Sequence, residues 1–549
     1  MSDLKEYIVT ARTMDDATSL LDDMETPGGD LYIPNRQVTV TQRREISRNT
    51  HFLITDEEAD QLRRDPRVLA VEQLPSVLGL EPTPHWVQTG NFEKNLVIDT
   101  NDKNWGLYRV TSGQPLANWG PDGGFTQTTQ TVSTTSSGKN VDVVVVDSHI
   151  NFNHPEFAVN ADGTGGTRAI QYDWFQHSAA LGYATSGAYS YADISSNHGT
   201  HTAGTCAGNT QGWARDANIY NIEFSYAGGN GPAGGWELYV FDYIREFHKG
   251  KPINPATGRR NPTVTNNSWG YSYNLIFTSG ITSVTHQGVT TAVTGSTAER
   301  KATLESNGIP VPASTYLYRM PGRYAALDAD VEDAIADGII VVVSAGNSYW
   351  QTAIPSSPDY NNSFVSSGFT YYHAQGSSPN SDNAISVGAI DTVTQEYKTN
   401  FSNYGSKVSI YAPGKNIVSS VYDTTAAAEF GITIVNDPRN SNFKLGSISG
   451  TSMAGPQVTG CLACLLEHQP TLTQPEALAY LIASSKKSQI GSTGGNAGDY
   501  TSLGTESNNR YLFYKLERPL VGSASPRITY KLRATTGAVY PRVRTRITG

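Results

Sequence analysis

The sequence predicts an α/β fold, and three apolar stretches support this prediction. Residues 141–147, VDVVVVD, and residues 338–344, GIIVVVS, are typical of buried strands. After Ser452, apolar residues recur at helical spacing, which predicts a buried helix. These residues are Val458, Leu462, Leu465 and Leu466.

Residues 1–79 predict a separate, small α+β domain with the element order βαββαβ, as in ferredoxin-like folds. The predicted strands are Glu6–Arg12, Val38–Ile46, Thr50–Ile54 and Val68–Val71, and the first helix is Asp15–Asp23. Thr55 and Glu58 have the spacing of a capping box, which predicts the start of a second helix that continues through Arg64. Pro66 then ends this helix.

Residues 80–104 are predicted to form a linker, since Pro82 and Pro84 favour extended backbone. A large domain over residues 105–490 follows, and residues 491–549 form a C-terminal extension. The last part of this extension, residues 510–549, has a marked excess of Lys and Arg over acidic residues. Two interpretations stay open for it: a solvated edge, or a docking arm that assembles with an acidic protein surface.

Composition excludes several classes of protein. The 549 residues carry a formal net charge of −10, which argues against a general nucleic-acid binder. No run of eighteen apolar residues exists, so no membrane span is predicted. The N-terminus lacks the basic start and apolar middle of a signal peptide, which predicts synthesis in the cytoplasm. Cys206, Cys461 and Cys464 are predicted to be buried core residues rather than ligands of a metal site.

Three motifs predict nucleophilic catalysis. Ser452 lies in SGTSMAG, directly before the predicted helix, and a hydroxyl nucleophile needs a base and an orienting acid. His198 in SNHGTHTAG and Asp147 at the end of VDVVVVD supply these two groups. Each residue also has a structural interpretation: a strand end for Asp147, a helix start for His198, and a helix cap for Ser452. His201, one turn after His198, is a rival base.

Together, and in the order Asp147, His198, Ser452, these motifs resemble those of the subtilisin-like serine protease family. The resemblance implies a three-layer α/β domain with a central, mostly parallel sheet. It further implies that Asn347, in VVVSAGNSYW, donates a hydrogen bond in the oxyanion hole. Substrate would bind along Ser268, Trp269 and Gly270, with an opposing strand around Gly229. Trp269 has an alternative interpretation as a core residue.

The resemblance also bears on the less regular parts of the chain. Residues 271–324 exceed what the family core needs, which predicts an insertion beside the cleft. The N-terminal domain resembles the family's propeptides, which implies that it acts as an intramolecular inhibitor and folding chaperone. The short loop after His198 lacks the length of a known calcium-binding loop in subtilisin, so no metal site is identified and no cofactor is predicted, although calcium elsewhere stays open.

The sequence departs from the family pattern near two catalytic positions. His149 stands two residues after Asp147, where the family has glycine, and would either perturb the acid or line the cleft. Gly455 and Gln457 follow Ser452 where serine and histidine are commoner. These departures leave every atom of the predicted triad in place.

The sequence therefore predicts a serine endopeptidase that hydrolyses a protein or peptide substrate through an Asp/His/Ser triad and an acyl-enzyme intermediate. The alternative from another class is a structural or assembly component, for example of a phage particle, that retains a subtilisin-like fold.

Overall fold

The structure is a computed structural model of the chain. It describes residues 4–29, 31, 38–43, 49–73, 105–113, 136–191, 196–224, 226, 230–231, 236–312, 315–391, 396–432, 434–491, 501–504 and 507–514. The chain divides into two compact units, Met1–Pro84 and His85–Gly549. The predicted linker and the residues of the basic tail after Tyr514 lie outside the described residues.

The N-terminal unit has the predicted βαββαβ order. Its elements are β1 (Lys5–Ala11), α1 (Met14–Glu25), β2 (Thr39–Arg43), β3 (Asn49–Ile54), α2 (Asp56–Leu62) and β4 (Val68–Gln73). The strands form one antiparallel sheet in the order β2-β3-β1-β4, which is the ferredoxin-like arrangement. The ferredoxin-like prediction is therefore confirmed.

Local sequence explains where the second helix of this unit begins. Thr55 precedes α2, its Oγ accepts a hydrogen bond from Glu58 N at 3.3 Å, and Glu58 Oε2 accepts from Thr55 N at 2.8 Å. This is the predicted capping box, which satisfies two backbone donors at the start of the helix. Apolar residues of both helices then pack with Phe52 and Ile54 of β3 in a single core.

The second unit contains the remaining elements. Its strands are β5 (Asp142–Asp147), β6 (Ala169–Ile170), β7 (Asn218–Glu223), β8 (Thr263–Asn267), β9 (Ser272–Phe277), β10 (Ile281–His286), β11 (Val289–Ala292), β12 (Tyr316–Pro321), β13 (Ile340–Ser344), β14 (Ser363–Ser366), β15 (Phe369–Tyr372), β16 (Ile385–Ile390), β17 (Ile410–Pro413), β18 (Ile417–Val421), β19 (Ile434–Asp437), β20 (Asn440–Ile448), β21 (Lys486–Lys487) and β22 (Arg510–Tyr511). Its α-helices are α3 (Trp105–Ser112), α4 (Ser178–Leu181), α5 (His198–Ala207), α6 (Val240–Gly250), α7 (Thr297–Ser306), α8 (Ala325–Ala336), α9 (Ala426–Phe430), α10 (Thr451–His468) and α11 (Gln474–Ser484). Short 3-10 helices cover Pro155–Phe157, Trp174–His177, Trp236–Leu238 and Thr278–Gly280.

A nine-stranded sheet in the order β21-β22-β17-β16-β13-β8-β5-β7-β6 forms the centre of this unit. Every neighbouring pair is parallel except β21 with β22. The runs predicted to be buried strands become β5 and β13, near the middle of the sheet. Because neighbouring strands here run in the same direction, the carboxyl ends of β5, β8 and β13 lie at one edge.

The apolar runs are continuous because helices cover both faces of this sheet. In β5, Val143 and Val145 pack in a core that includes residues of α5, α10 and α11. The alternate residues, Val144 and Val146, pack in a second core that includes residues of α6 and α8. This alternation places a layer of helices on each side of the sheet. The predicted three-layer α/β architecture is confirmed.

Residues 272–321, within the predicted insertion, build a layer of their own. Strands β9 and β12 form a two-stranded antiparallel sheet, and β10 and β11 join β14 and β15 in a second antiparallel sheet with the order β11-β10-β14-β15. A separate cluster of buried apolar residues, with Trp350 and Phe364 among them, fills this layer. The sequence did not predict that residues 363–372 would complete its sheet.

The large unit continues beyond residue 490, where the sequence analysis placed its end. Strand β22 pairs with β17 through Tyr511 and Tyr411, and the Tyr511 ring lies under the Arg109 guanidinium at 4.1 Å. Leu512 and Tyr514 are buried in the main core. Apolar residues at 511, 512 and 514 therefore keep this segment in the fold, and the predicted boundary is too early.

Candidate active site

Asp147 ends β5 and is completely buried. Three donors surround its carboxylate: Ser148 N at 2.8 Å and His198 Nδ1 at 2.7 Å from Oδ1, and Thr202 Oγ1 at 3.0 Å from Oδ2. A buried charge is tolerated only when it is paired and hydrogen-bonded, and these contacts meet that requirement. Because the carboxylate accepts, the His198 proton in this contact lies on Nδ1, which leaves Nε2 free to act as a base.

Helix α5 can place His198 beside Asp147 because its second residue is glycine. A Cβ on Gly199 would lie 2.2 Å from the Ser148 carbonyl oxygen, so a larger residue would push the helix away. The glycine N–H instead donates to Ser148 Oγ at 2.8 Å. The close approach of α5 to the end of β5 thus depends on the HGTH motif.

His198 is partly accessible, with 24% of its side chain exposed. Burial alone would lower the pKa of His198, but the charge and hydrogen bond of Asp147, with a further contribution from Glu429, raise this pKa above its ordinary value of 6.5. His201 differs: it is fully buried, its Nε2 donates to the Ile417 carbonyl at 2.8 Å, and burial lowers its pKa to about 3. His201 is therefore held in the core as a neutral side chain.

Ser452 lies in the first turn of α10, where backbone N–H groups have no partner within the helix. Its Oγ donates to the Ser268 carbonyl at 3.1 Å, and Ser268 Oγ donates back to the Ser452 carbonyl at 3.0 Å. Pro456 explains why that carbonyl is available, since proline has no N–H to donate to the residue four positions earlier. The pair fixes the start of α10 against the end of β8.

The orientation of Asn347 follows from its hydrogen bonds to Thr451. Asn347 Oδ1 accepts from Thr451 N at 2.8 Å and from Thr451 Oγ1 at 2.7 Å. Because a backbone N–H can only donate, the oxygen of the amide must face Thr451, and Nδ2 must face elsewhere. Asn347 and Ser452 line the same cavity.

The loop that carries Asn347 needs glycine at position 346. Gly346 has a φ of +101°, and a Cβ there would lie 2.4 Å from Asn403 Nδ2. Asn403 holds the loop from both sides: its Nδ2 donates to the Ala345 carbonyl at 2.8 Å, and its Oδ1 accepts from Trp350 N at 2.9 Å. The SAGN sequence after β13 is thereby fixed in a turn that faces α10.

One cavity of about 770 Å³ contains all four of these predicted site residues, Asp147, His198, Ser452 and Asn347, together with Ser268, Trp269 and Gly270. Gly270 is exposed and Trp269 is half-buried, with its ring stacked on Phe224 at 5.0 Å between centroids. Trp269 therefore lines the cleft and also packs against the apolar core that contains residues of α6 and α8. Gly229, the remaining predicted substrate contact, lies outside the described residues.

His149 neither lines this cavity nor contacts the Asp147 carboxylate among the hydrogen bonds described. Its Nδ1 lies 3.0 Å from Glu223 Oε1, and both side chains are almost completely buried. Aromatic rings of Phe152, Tyr191 and Tyr422 surround the imidazole. The bulky side chain of His149 is accommodated because it lies against Glu223 of β7, away from Asp147.

Three side chains that support the site were absent from the sequence predictions. Thr202 hydrogen-bonds Asp147, Thr451 orients Asn347, and Glu429 contacts the residues that precede His198. The spacing of Thr202, four residues after His198, offers a signal, because such residues share a helix face. Glu429 offers none, since it is more than 200 positions away along the chain.

The described residues gather no group of three or more His, Cys, Asp or Glu side chains that could hold a metal ion. Cys206, Cys461 and Cys464 are free and buried. Within the same part of the chain, no helix combines the length and apolar character needed to cross a membrane.

The Subtilase family profile matches residues 138–508, which is more than half of the chain and includes every residue of the site described above. The chain belongs to the subtilase family. The N-terminal unit lies outside the match, so its propeptide-like role stays a prediction.

Individual subtilases are similar at modest identity. Alkaline serine exoprotease A of Vibrio alginolyticus is 24% identical, over 81% of this chain and 56% of its own length. An extracellular serine proteinase of Thermus sp. (strain Rt41A) is 25% identical, over 78% of this chain and 68% of its own length. A cold adapted subtilisin-like serine proteinase of known structure is 21% identical, with a TM-score of 0.43, over 75% of this chain and 98% of its own. The chain thus spans just over half of the length of the Vibrio relative.

We predict that Thr451→Val lowers kcat about tenfold, because Asn347 loses the side-chain hydrogen bond that orients its amide. Thr451→Ser keeps the hydroxyl and serves as the matched control, with activity close to that of the wild type. Steady-state hydrolysis of one peptide amide by the three proteins measures the effect. Equal kcat values for the valine and serine variants would contradict this role of the Thr451 hydroxyl.

Proposed function

We propose that this subtilase is a serine endopeptidase that cleaves peptide bonds in protein or peptide substrates. The observation that carries the proposal is the hydrogen-bonded Asp147–His198 pair in the same cavity as Ser452, at the start of α10. A neutral imidazole held by a carboxylate supplies the base that a serine hydroxyl needs. Family membership supports the same class of reaction.

The proposed reaction begins when Ser452 Oγ turns from the Ser268 carbonyl towards His198. Nε2 of His198 takes the hydroxyl proton as Oγ attacks the carbonyl carbon of the scissile bond, which gives a tetrahedral oxyanion. Asn347 Nδ2 and the backbone N–H of Ser452 donate to this oxyanion. Asp147 stabilises the resulting imidazolium through its contact with Nδ1.

Collapse of the tetrahedral species breaks the peptide C–N bond. His198 gives its proton to the leaving amine, and the acyl group stays on Ser452 as an ester. Water then repeats the sequence: His198 takes its proton, the ester breaks, and the proton returns to Ser452 Oγ. Ser268, Trp269 and Gly270, with Gly229 opposite, would hold the substrate as an added strand during both steps.

Ser452→Ala should abolish peptidase activity, because it removes the atom that forms the acyl ester. For subtilisin itself, loss of the nucleophile costs about 10⁶-fold in kcat. A fluorophosphonate probe should label Ser452 in wild-type material freed of residues 1–79, and mass spectrometry of the labelled peptide locates the adduct. Peptide cleavage by the alanine variant at the wild-type rate would overturn the proposal.

Activity should fall on acidification, because protonated His198 cannot accept the Ser452 proton. Asp147 and Glu429 raise the pKa of His198 above its ordinary value of 6.5, so we expect the acid limb of kcat/KM to lie above that pH. An unperturbed histidine would place it at about pH 6–7. A pH–rate profile for one uncharged peptide ester tests this, and full activity at pH 4 would exclude His198 as the base.

We further propose that the N-terminal unit inhibits the peptidase within the same chain. Its ferredoxin-like fold has a core of its own, and its position before the peptidase supports this role. Residues that follow β4 would bind the Ser268–Gly270 edge as a product-like strand, which peptide recognition by strand addition allows.

The fragment 1–79, added in trans, should therefore inhibit the separated peptidase. Fragment 1–73 is the matched control, since it keeps all elements through β4 but lacks the residues expected to enter the cleft. We expect it to inhibit at least tenfold more weakly, because strand addition supplies much of the affinity. A folded 1–79 fragment that leaves the rate unchanged at high excess would show that this unit has another role.

The alternative function, a structural or assembly component, finds no support in the family match or among the relatives. The docking role of the basic tail concerns residues outside those described, apart from 510–514. Within that short segment, Arg510 and Tyr511 form part of the central sheet.

A further inference from the structure

Glu429 contacts the two residues that precede His198. Its Oε2 accepts from Asn197 N at 2.9 Å and from Asn197 Nδ2 at 2.9 Å, and its Oε1 accepts from Ser196 Oγ. Glu429 also lines the cavity that contains Ser452. A carboxylate on α9 is thus fixed at the beginning of the helix that carries the proposed base.

Serine hydroxyls accept from the first two backbone N–H groups of α5, but the helix has no negative charge of its own at this end. Asn197 occupies the N-cap position, but its side chain makes no capping hydrogen bond, and the first turn contains no acidic residue. Asn197 instead binds the α9 segment: its Oδ1 accepts from Asp423 N at 2.9 Å, and its Nδ2 donates to Thr425 Oγ1 at 2.8 Å. Glu429 therefore supplies the negative charge that a helix N-terminus favours.

The other charged or titratable groups described near His198 have partners or effects that differ from those of Glu429. Asp147, from the end of β5, binds Nδ1 directly. His201, on the same helix, is neutral, since burial lowers its pKa to about 3. Asp423 directs its carboxylate to the Thr425 N–H and hydroxyl. Arg319 of β12 also lines the cavity and contributes a positive charge there.

We propose that Glu429 is a positioning residue for His198: it holds the start of α5 in place, and its charge favours the imidazolium that forms while Ser452 is acylated. The inference rests on the proposed function and adds a second carboxylate to the proposed Asp/His pair. Glu429 itself exchanges no proton and contacts no reacting atom. It acts through Asn197 and through the electrostatic field at the ring.

The direction of the His198 pKa shift agrees with this geometry. Burial lowers the pKa of His198, and Asp147 and Glu429 together more than offset that effect, so the pKa is raised. Removal of the Glu429 charge should therefore lower the pKa of His198. Because Glu429 is exposed, salt should weaken the effect, since the Debye length shortens from about 30 Å at 0.01 M to about 3 Å at 1 M.

Glu429→Gln tests the charge while keeping an acceptor for Asn197. We expect its acid limb of kcat/KM to move to lower pH than that of the wild type, with a larger displacement at low ionic strength. Glu299→Gln is the matched control, since the Glu299 carboxylate also accepts from the N-cap residue of a helix, in this case from within its own helix α7. This variant changes the net charge equally and should reproduce the wild-type profile.

A second measurement on the full chain needs no turnover. NMR of histidine-labelled Ser452→Ala protein, with His198 assigned through His198→Gln, gives the titration of the imidazole directly. We expect His198 to titrate at lower pH in Ser452→Ala/Glu429→Gln than in Ser452→Ala. This result would support the inference even if no peptide were cleaved, in which case the proposed function alone would fail.

Three results would overturn the inference. The first is a His198 titration that is the same with and without the Glu429 charge at low ionic strength. The second is a Glu429→Gln profile that is lowered equally at every pH, which would show that Glu429 only stabilises the helix. If Glu429→Gln and Glu299→Gln shift the acid limb equally, net charge rather than position is responsible, and the inference is likewise wrong.

Discussion

The close approach of α5 to the end of β5 is the constraint on which the site depends. Asp147 is completely buried, and its donors come from the residue after β5 and from two positions of α5. A buried carboxylate that lost these partners would destabilise the folded state by several kcal/mol, so α5 must stay close to the end of β5. Gly199 permits the close contact between α5 and the Ser148 carbonyl, and this contact sets the position of His198.

The parallel sheet explains how residues far apart in sequence share one cavity. Strands β5, β8 and β13 end at the same edge, so Asp147, Ser268 and the Asn347 turn lie side by side there. The N-terminus of α10 lies at the same edge. Because Pro456 has no N–H to donate, the Ser452 carbonyl accepts a hydrogen bond from Ser268 Oγ instead. The central topology and a few exact hydrogen bonds are thus enough to assemble the site.

Much of this arrangement was predictable because its signals are local. The strands around Asp147 and before Asn347 are continuous apolar runs, and the Thr55 capping box marks its helix directly. The fate of His149 was not predictable, because it depends on Glu223 of a neighbouring strand. The same holds for β14 and β15, and for Tyr511 against Tyr411, whose pairings join distant segments.

The contact of Glu429 with Asn197 joins segments that are farther apart in sequence than in any of these cases. It indicates that the groups proposed to react and the groups that only border the cavity lie on different segments of this subtilase. Groups that would carry out the reaction lie on the central sheet and on α5 and α10. Other segments also border the same cavity, among them the layer built by β9 to β12, which contributes Arg319, and α9, which contributes Glu429. The β9–β12 layer has its own apolar core. The packing that supports Arg319 is therefore separate from the packing that holds Asp147 and His198.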